Sequence, residues 1–264
     1  MNDLISVIIL AIIQGATEWL PVSSSGHLVL FSNLLNFEGG LAFDVTLHLG
    51  TLLAVIIYFW KDLFGILKSL LRLDFKTENG KLILLLIMAS LPAVVIGFVF
   101  YDYFKQLFSS TDFLSWGIII TALLLFLGSF NFSFKKEKIS YFDSFIMGIG
   151  QAIAIIPSIS RSGSTIVFGF LRGIKEEKAA RFSFLMSIPV IFGANILIGF
   201  KELTKDTLTL EINSTLILGI IISFAVGILT IHWLMKSVFK NKKNLRYFAL
   251  YCLLLGLYIQ FFGI

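Results

Sequence analysis

The sequence predicts an all-α integral membrane protein: six transmembrane helices and two re-entrant helical hairpins, arranged as an inverted-topology repeat. Composition is the first reason. Of 264 residues, 57% are hydrophobic, 14% are charged and 28 are phenylalanine, against roughly 45–50% and about 25% for the first two in soluble domains. A soluble fold of this length lacks the polar surface to cover so much apolar area. That excludes a soluble enzyme, a nucleic-acid-binding module and a disordered tail. The lengths of the apolar stretches and the placement of Lys and Arg are the other two reasons.

In chain order, residues 4–35 hold two apolar arms separated by a Pro/Ser/Gly-rich interruption. A crossing takes about 20 apolar residues, so each arm is too short and the pair reads as a re-entrant hairpin. Stretches of spanning length follow at 41–60, 82–100 and 113–130. Residues 140–172 repeat the interrupted pattern, and 182–200, 214–235 and 247–262 supply three more spans. Non-helical backbone survives at membrane depth only where protein buries it or where it lines a wet cavity, so both interruptions mark special places. A shift of 137 residues superimposes Gln14 on Gln151, Ser23 on Ser160, Ser25 on Ser162 and Gly26 on Gly163. The chain is therefore expected to be one polytopic domain of two repeats, 1–134 and 135–264. Three spans per repeat is an odd number, so the second repeat sits upside down relative to the first.

The placement of charge matters more than its net value of +5. Seventeen of the 21 Lys and Arg fall in 61–81, 131–139, 172–181 and 236–246, and the segments expected on the opposite side hold three. The positive-inside rule then puts the basic segments in the cytoplasm and both termini outside, in a multi-pass protein of the cell membrane. The first hairpin enters from outside and the second from the cytoplasm, so their tips should meet near the midplane. The basic segments lack the aromatic-interleaved pattern of a nucleic-acid surface, and no nucleic-acid partner is expected. Cys252 is the single cysteine, which excludes an intramolecular disulfide or a cysteine metal site. The first sixty residues contain no Lys or Arg, so no cleaved signal peptide is expected.

The chemistry concentrates in the two interruptions. Gln14 and Glu18 are four apart, on one face of a helical arm. Pro21 ends that arm, and Ser23, Ser24, Ser25 and Gly26 form a hydroxyl-rich turn that opens a second arm at His27. Such a turn before a helix is a ready anion site. The second interruption, Pro157 to Thr165, also opens a helix and has Arg161 at its centre, a planar fork of donors suited to phosphate oxygens. One carboxylate, one imidazole, one guanidinium and about seven hydroxyls fit a phosphate ester better than a sugar, an amino acid or a bare ion. Charges at membrane depth cost several kcal/mol or more and mark functional sites by default. Plainer roles stand beside this: Arg161 and Glu18 could pair only to join two half-helices, and about half of the serines satisfy buried backbone. His48 either pairs with Asp44 or stands behind the site, and His232 is interfacial. Asp143 caps the arm after Ser140. Most of Trp19, Trp60, Trp116 and Trp233 should form an aromatic belt.

At these two tips the chain resembles the undecaprenyl-diphosphatase family, also called the bacitracin-resistance proteins. That family's E/Q-x-x-x-E motif, running into a Ser-rich Gly-His turn, stands here as Gln14-x-x-x-Glu18 followed by Pro21 to His27. Its P-G-x-S-R-S-G-x-T motif stands as Pro157 to Thr165, and Phe43 to Val55 is similar to the stretch after the first motif. One departure is Ser158, where the family often has Gly; a Gly there permits φ > 0, so the departure bears on the tip backbone. Gln14 is the neutral variant of its position, which points to Glu18 as the carboxylate that cannot be spared.

The resemblance implies a membrane phosphatase that removes the terminal phosphate of a polyprenyl (undecaprenyl) diphosphate. The product is the carrier lipid recycled for peptidoglycan and other cell-wall glycans, and bacitracin resistance follows because bacitracin sequesters the substrate. It implies a divalent cation, magnesium or calcium. Glu18 would hold the metal or act as base, and Arg161 would clamp the phosphoryl oxygens. Ser24 is the expected nucleophile with His27 as acid/base, the rival being His27 as nucleophile. Gln14, Ser23, Ser25, Gly26, Ser160, Ser162, Gly163 and Thr165 complete the substrate-binding set. The alternative is a polyprenyl-phosphate flippase, because inverted repeats with broken helices also build transporters. A carboxylate facing an anionic ligand favours hydrolysis. The cavity is expected to open outward, with membrane lipid around it and room left for a homodimer.

Overall fold

The computed structural model describes residues 3–100, 112–130, 136–203 and 214–263. Among these residues the regular structure is helical, with one isolated bridge between Lys136 and Ile174. Most of the connections expected at 101–112, 131–139 and 201–213 lies outside the described residues.

Each interrupted stretch is a pair of short helices. The first is α1 (Asp3–Thr17) and α2 (Ser24–Leu35). Each of the six stretches of spanning length contains a helix. In the first half these are α3 (Gly40–Tyr58), α5 (Glu78–Val99) and α6 (Asp112–Gly128). The second hairpin is α7 (Tyr141–Ile153) and α8 (Arg161–Leu171), followed by α9 (Glu176–Leu203), α10 (Ser214–Lys236) and α11 (Leu245–Phe262). Among the described residues, four helices are long and apolar enough to cross a membrane, and a fifth is gained if α3 and its bent continuation count as one span. At 17 residues, α6 falls short of that length.

The first half departs from expectation after α3. The basic segment 61–81 reads as a loop, but Trp60–Leu71 forms a further helix, α4, bent 77° from α3. The break falls at Phe59, which is buried and tied by its N–H to the Val55 carbonyl.

Cross-links gather the basic segments at one end of the bundle. Arg181 pairs with Asp62. The Lys136 N–H donates to Gly173 O at 2.7 Å and the Lys175 N–H to Lys136 O at 3.0 Å. Phe184 meets Phe239 at 6.1 Å, and Arg246 Nε donates to Ser129 Oγ at 3.2 Å.

Packing runs across the halves: α1 lies on α10, α7 on α5, and α6 on α11. The largest buried side chains include Trp19, Phe170, Phe184 and Phe239. Trp19 is fully buried with its ring edge-on to Phe184 at 5.3 Å, so it belongs to the core; Trp60, Trp116 and Trp233 are exposed, as belt residues are.

Asp143 closes the outer end of the second hairpin. With Ser140 it forms the expected capping box on α7, and its Oδ1 also accepts from Lys136 Nζ (3.0 Å) and from Arg172 Nε (2.8 Å) just past α8. One buried carboxylate thus ties both arms of the hairpin together. Asp143→Ala should lower stability by about 2 kcal/mol, seen as a lower midpoint in thermal unfolding in detergent.

Candidate active site

Both hairpin tips are built the same way. Helical bonding continues past α1, with the Glu18 N–H on Gln14 O at 3.0 Å and the Leu20 N–H on Ala16 O at 3.2 Å, and stops at Pro21, which has no N–H to give. Ser23 sits at φ 74° and caps α2 by accepting from Gly26 N at 3.2 Å. In the second tip the left-handed residue is Ser158, at φ 63°, and Ser160 caps α8 by accepting from Gly163 N at 3.1 Å. The hydroxyls of Ser23 and Ser25 lie 3.4 Å apart, those of Ser160 and Ser162 3.3 Å apart. Ser158 is therefore where a Gly would sit without strain.

The tips meet. Glu18 Oε1 accepts from the Arg161 guanidinium. Ser162 Oγ donates to Leu20 O at 3.0 Å, and Gly163 lies against Pro21. Helix α6 supports the second tip: Thr121 Oγ1 accepts from Ser160 N at 2.9 Å. Gly117 faces Pro157 O and Ser158 so closely that any Cβ there would collide with them.

Glu18 is the hub. Its Oε2 accepts from Ser24 Oγ at 2.7 Å and from Gln14 Nε2 at 3.1 Å, and His48 Nε2 lies 3.4 Å away. Gln14 Nε2 also reaches Thr51 Oγ1 at 3.5 Å, from α3. His48 bonds the backbone carbonyl of Asp44 through Nδ1 at 2.7 Å, so it stands beside the carboxylate of Glu18 rather than that of Asp44. Arg161 lies over the Trp19 ring at 5.9 Å. Three buried polar atoms at this junction have no hydrogen-bond partner among the described residues: Arg161 Nη1, Gln14 Oε1 and Trp19 Nε1. The first is a charged donor and the second an amide oxygen acceptor.

Several other expected site residues are occupied differently. His27 is buried, with Nδ1 on Ser23 O and Nε2 on the Tyr251 hydroxyl, both at 2.7 Å, so both ring nitrogens are engaged away from Ser24. Thr165 turns to Ser183 Oγ at 2.6 Å and to the Arg161 carbonyl at 2.8 Å. Of the tip hydroxyls described, Ser24 alone rests on a carboxylate. Tyr251 and Thr121 carry no signal in the sequence, because each arrives on a distant apolar helix, whereas Thr51 lies within the stretch Phe43 to Val55 that resembles the family.

A sequence model described as bacitracin resistance protein BacA matches residues 7–258. The chain is 41% identical over 257 residues to an undecaprenyl-diphosphatase of Methanococcus vannielii, covering 97% of this chain and 98% of that one. It is 41% identical to the undecaprenyl-diphosphatase of Thermosipho africanus (97% and 99% covered) and 39% identical to that of Bacteroides fragilis (94% of each).

The left-handed Ser158 yields a stability prediction. Ser158→Gly should raise stability by about 1 kcal/mol, as relief of the φ strain outweighs the added freedom of the unfolded chain, whereas Ser158→Val should lower it. Thermal unfolding of both variants in detergent checks the sign.

Proposed function

The chain belongs to the family of bacitracin resistance protein BacA, and from that premise we propose that it is a membrane phosphatase removing the terminal phosphate of undecaprenyl diphosphate at the junction of its two hairpin tips. The observation that carries the site is the buried guanidinium of Arg161, which gives one nitrogen to Glu18 and keeps another unpartnered.

Ser24 acts as nucleophile and Glu18 as its base. Geometry decides first, and the Ser24 hydroxyl already donates to Glu18 at 2.7 Å. Ser24 Oγ attacks the terminal phosphorus as its proton passes to Glu18. The bond from phosphorus to the bridging oxygen breaks, and the polyprenyl monophosphate leaves. Water then attacks the phosphoserine, releasing inorganic phosphate, and Glu18 returns its proton to Ser24. Arg161 Nη1 stabilises charge on the phosphoryl oxygens as the bond breaks. His27 as nucleophile is the weaker reading, because its Nε2 would first have to leave Tyr251.

A divalent cation fits this site in one way. Among the described residues no group of three His, Cys, Asp or Glu could enclose a metal. Glu18 and the spare Gln14 Oε1 would supply hard oxygen ligands, with the rest from the phosphates. When bound, magnesium or calcium would offset the diphosphate charge.

The inverted repeat is supported by the matching caps of the two tips and by packing that pairs α1 with α10 and α7 with α5. The basic end is read as cytoplasmic and the cavity as opening outward. A flippase reading finds no support in relatives named for hydrolysis, and a carboxylate bonded to a serine hydroxyl gives the site chemistry a carrier does not need.

Phosphate release from undecaprenyl diphosphate by the purified protein is the test, with magnesium or calcium and then with chelator. Glu18→Gln and Ser24→Ala should lower turnover at least 1,000-fold, and Arg161→Lys about 100-fold, measured on the fraction of each variant shown to be folded by circular dichroism. Retained activity in Glu18→Gln refutes the site, and a trapped phosphohistidine refutes Ser24. Tyr251→Phe keeps the ring, frees His27 Nε2 and leaves Ser24 on Glu18, so turnover should fall far less than in Ser24→Ala. In sealed vesicles, loss of activity only when a chelator is trapped on the cytoplasmic face overturns the outward opening.

A further inference from the structure

Helix α4 has three distinct faces. Trp60, Phe64, Leu67 and Leu71 follow one another at helical spacing and are 57%, 62%, 50% and 77% exposed. About 100° round the helix, Lys61, Lys68 and Arg72 form a second stripe, also exposed. The third face is packed: Asp62 pairs with Arg181 of α9, and the buried Ser69 shares a hydrogen bond with Thr77 at 3.2 Å. None of the three cations of the second stripe is in an ion pair among the described residues. Lys61 Nζ lies 5.9 Å from the Trp60 ring.

Bent 77° from α3 at the basic end of the bundle, α4 leaves the direction of that helix. An apolar stripe bordered by cations suits the boundary between acyl chains and headgroups. We propose that α4 lies in the plane of the bilayer surface at the basic end of the bundle, seats Trp60, Phe64, Leu67 and Leu71 in the acyl region, and binds anionic phospholipid headgroups along Lys61, Lys68 and Arg72. Charge selects this occupant. A second copy docked symmetrically through the same stripe would bring cations against cations. A zwitterionic surface would leave the three positive charges without a net counter-charge.

Two measurements test the placement and the chemistry. Cys252 is fully buried, so Phe64→Cys, Leu71→Cys and Lys68→Cys can each be spin-labelled selectively in lipid nanodiscs. Labels at Phe64 and Leu71 should be relaxed by oxygen and shielded from an aqueous nickel chelate, with the label at Lys68 reached by the chelate. Chelate access at Phe64 and Leu71 overturns the placement, and shielding from both relaxers points to a protein partner and overturns it too. Native mass spectrometry should then show the protein retaining phosphatidylglycerol over phosphatidylcholine. The Lys61→Gln/Lys68→Gln/Arg72→Gln variant should lose that preference by roughly fivefold per charge. An unchanged preference in this variant overturns the headgroup site.

Discussion

The contact between Glu18 and Arg161 is the constraint around which the rest of the bundle is arranged. It joins side chains 143 residues apart, both deep in an apolar fold where either charge alone would cost several kcal/mol. A buried pair repays its desolvation only when its remaining donors and acceptors are used, and Gln14, Ser24 and His48 surround the carboxylate for that purpose. Bringing the two charges together requires two helices to stop inside the bundle. Their free backbone ends must then be satisfied there, which accounts for Ser23 and Ser160 as caps and for Ser162 on the Leu20 carbonyl.

The two tips share a frame but divide the chemistry. The 137-residue shift matches the capping serines and the glycines that donate to them, yet it sets Ile155 against Glu18, Arg161 against Ser24, and Ser164 against His27. Had both halves kept the acid, two carboxylates would face each other at the junction and repel. With the acid on one tip and the guanidinium on the other, the resting junction is close to neutral and still has an N–H to give. Under the proposed inverted repeat, divergence of the halves is what would turn matching tips into a site.

Much of this was legible before any coordinates. The interruptions show in a sequence of long apolar runs because Pro, Ser and Gly are costly there, and the spacing of Gln14 and Glu18 on one helix face is local. Ser158 stood out as a departure, and its positive φ shows why Gly suits that place. What could not be read arrives from afar or depends on direction. Thr121 and Tyr251 sit on apolar helices without a local signature, and only packing brings them to the tips. The bend after α3 was hidden because α4 has enough apolar residues to resemble the end of a span and enough lysines to resemble a loop. Trp19 beside a tip looked like an interfacial aromatic, but it fills the core under Arg161.

The hub residue also joins stability to reactivity. In the resting protein Glu18 occupies the place of an anion: it neutralises Arg161 and fixes the tips against each other. The same carboxylate accepts from the Ser24 hydroxyl at 2.7 Å. Under the proposed mechanism, a phosphoryl group arriving at Arg161 Nη1 would compete for the guanidinium, and as that hold on Glu18 weakened its carboxylate would become a stronger acceptor for the Ser24 proton. The charge that activates the base would then come from the substrate itself. Water at the unloaded site would meet a carboxylate already neutralised by its partner, which would keep the site quiet until a phosphate is present.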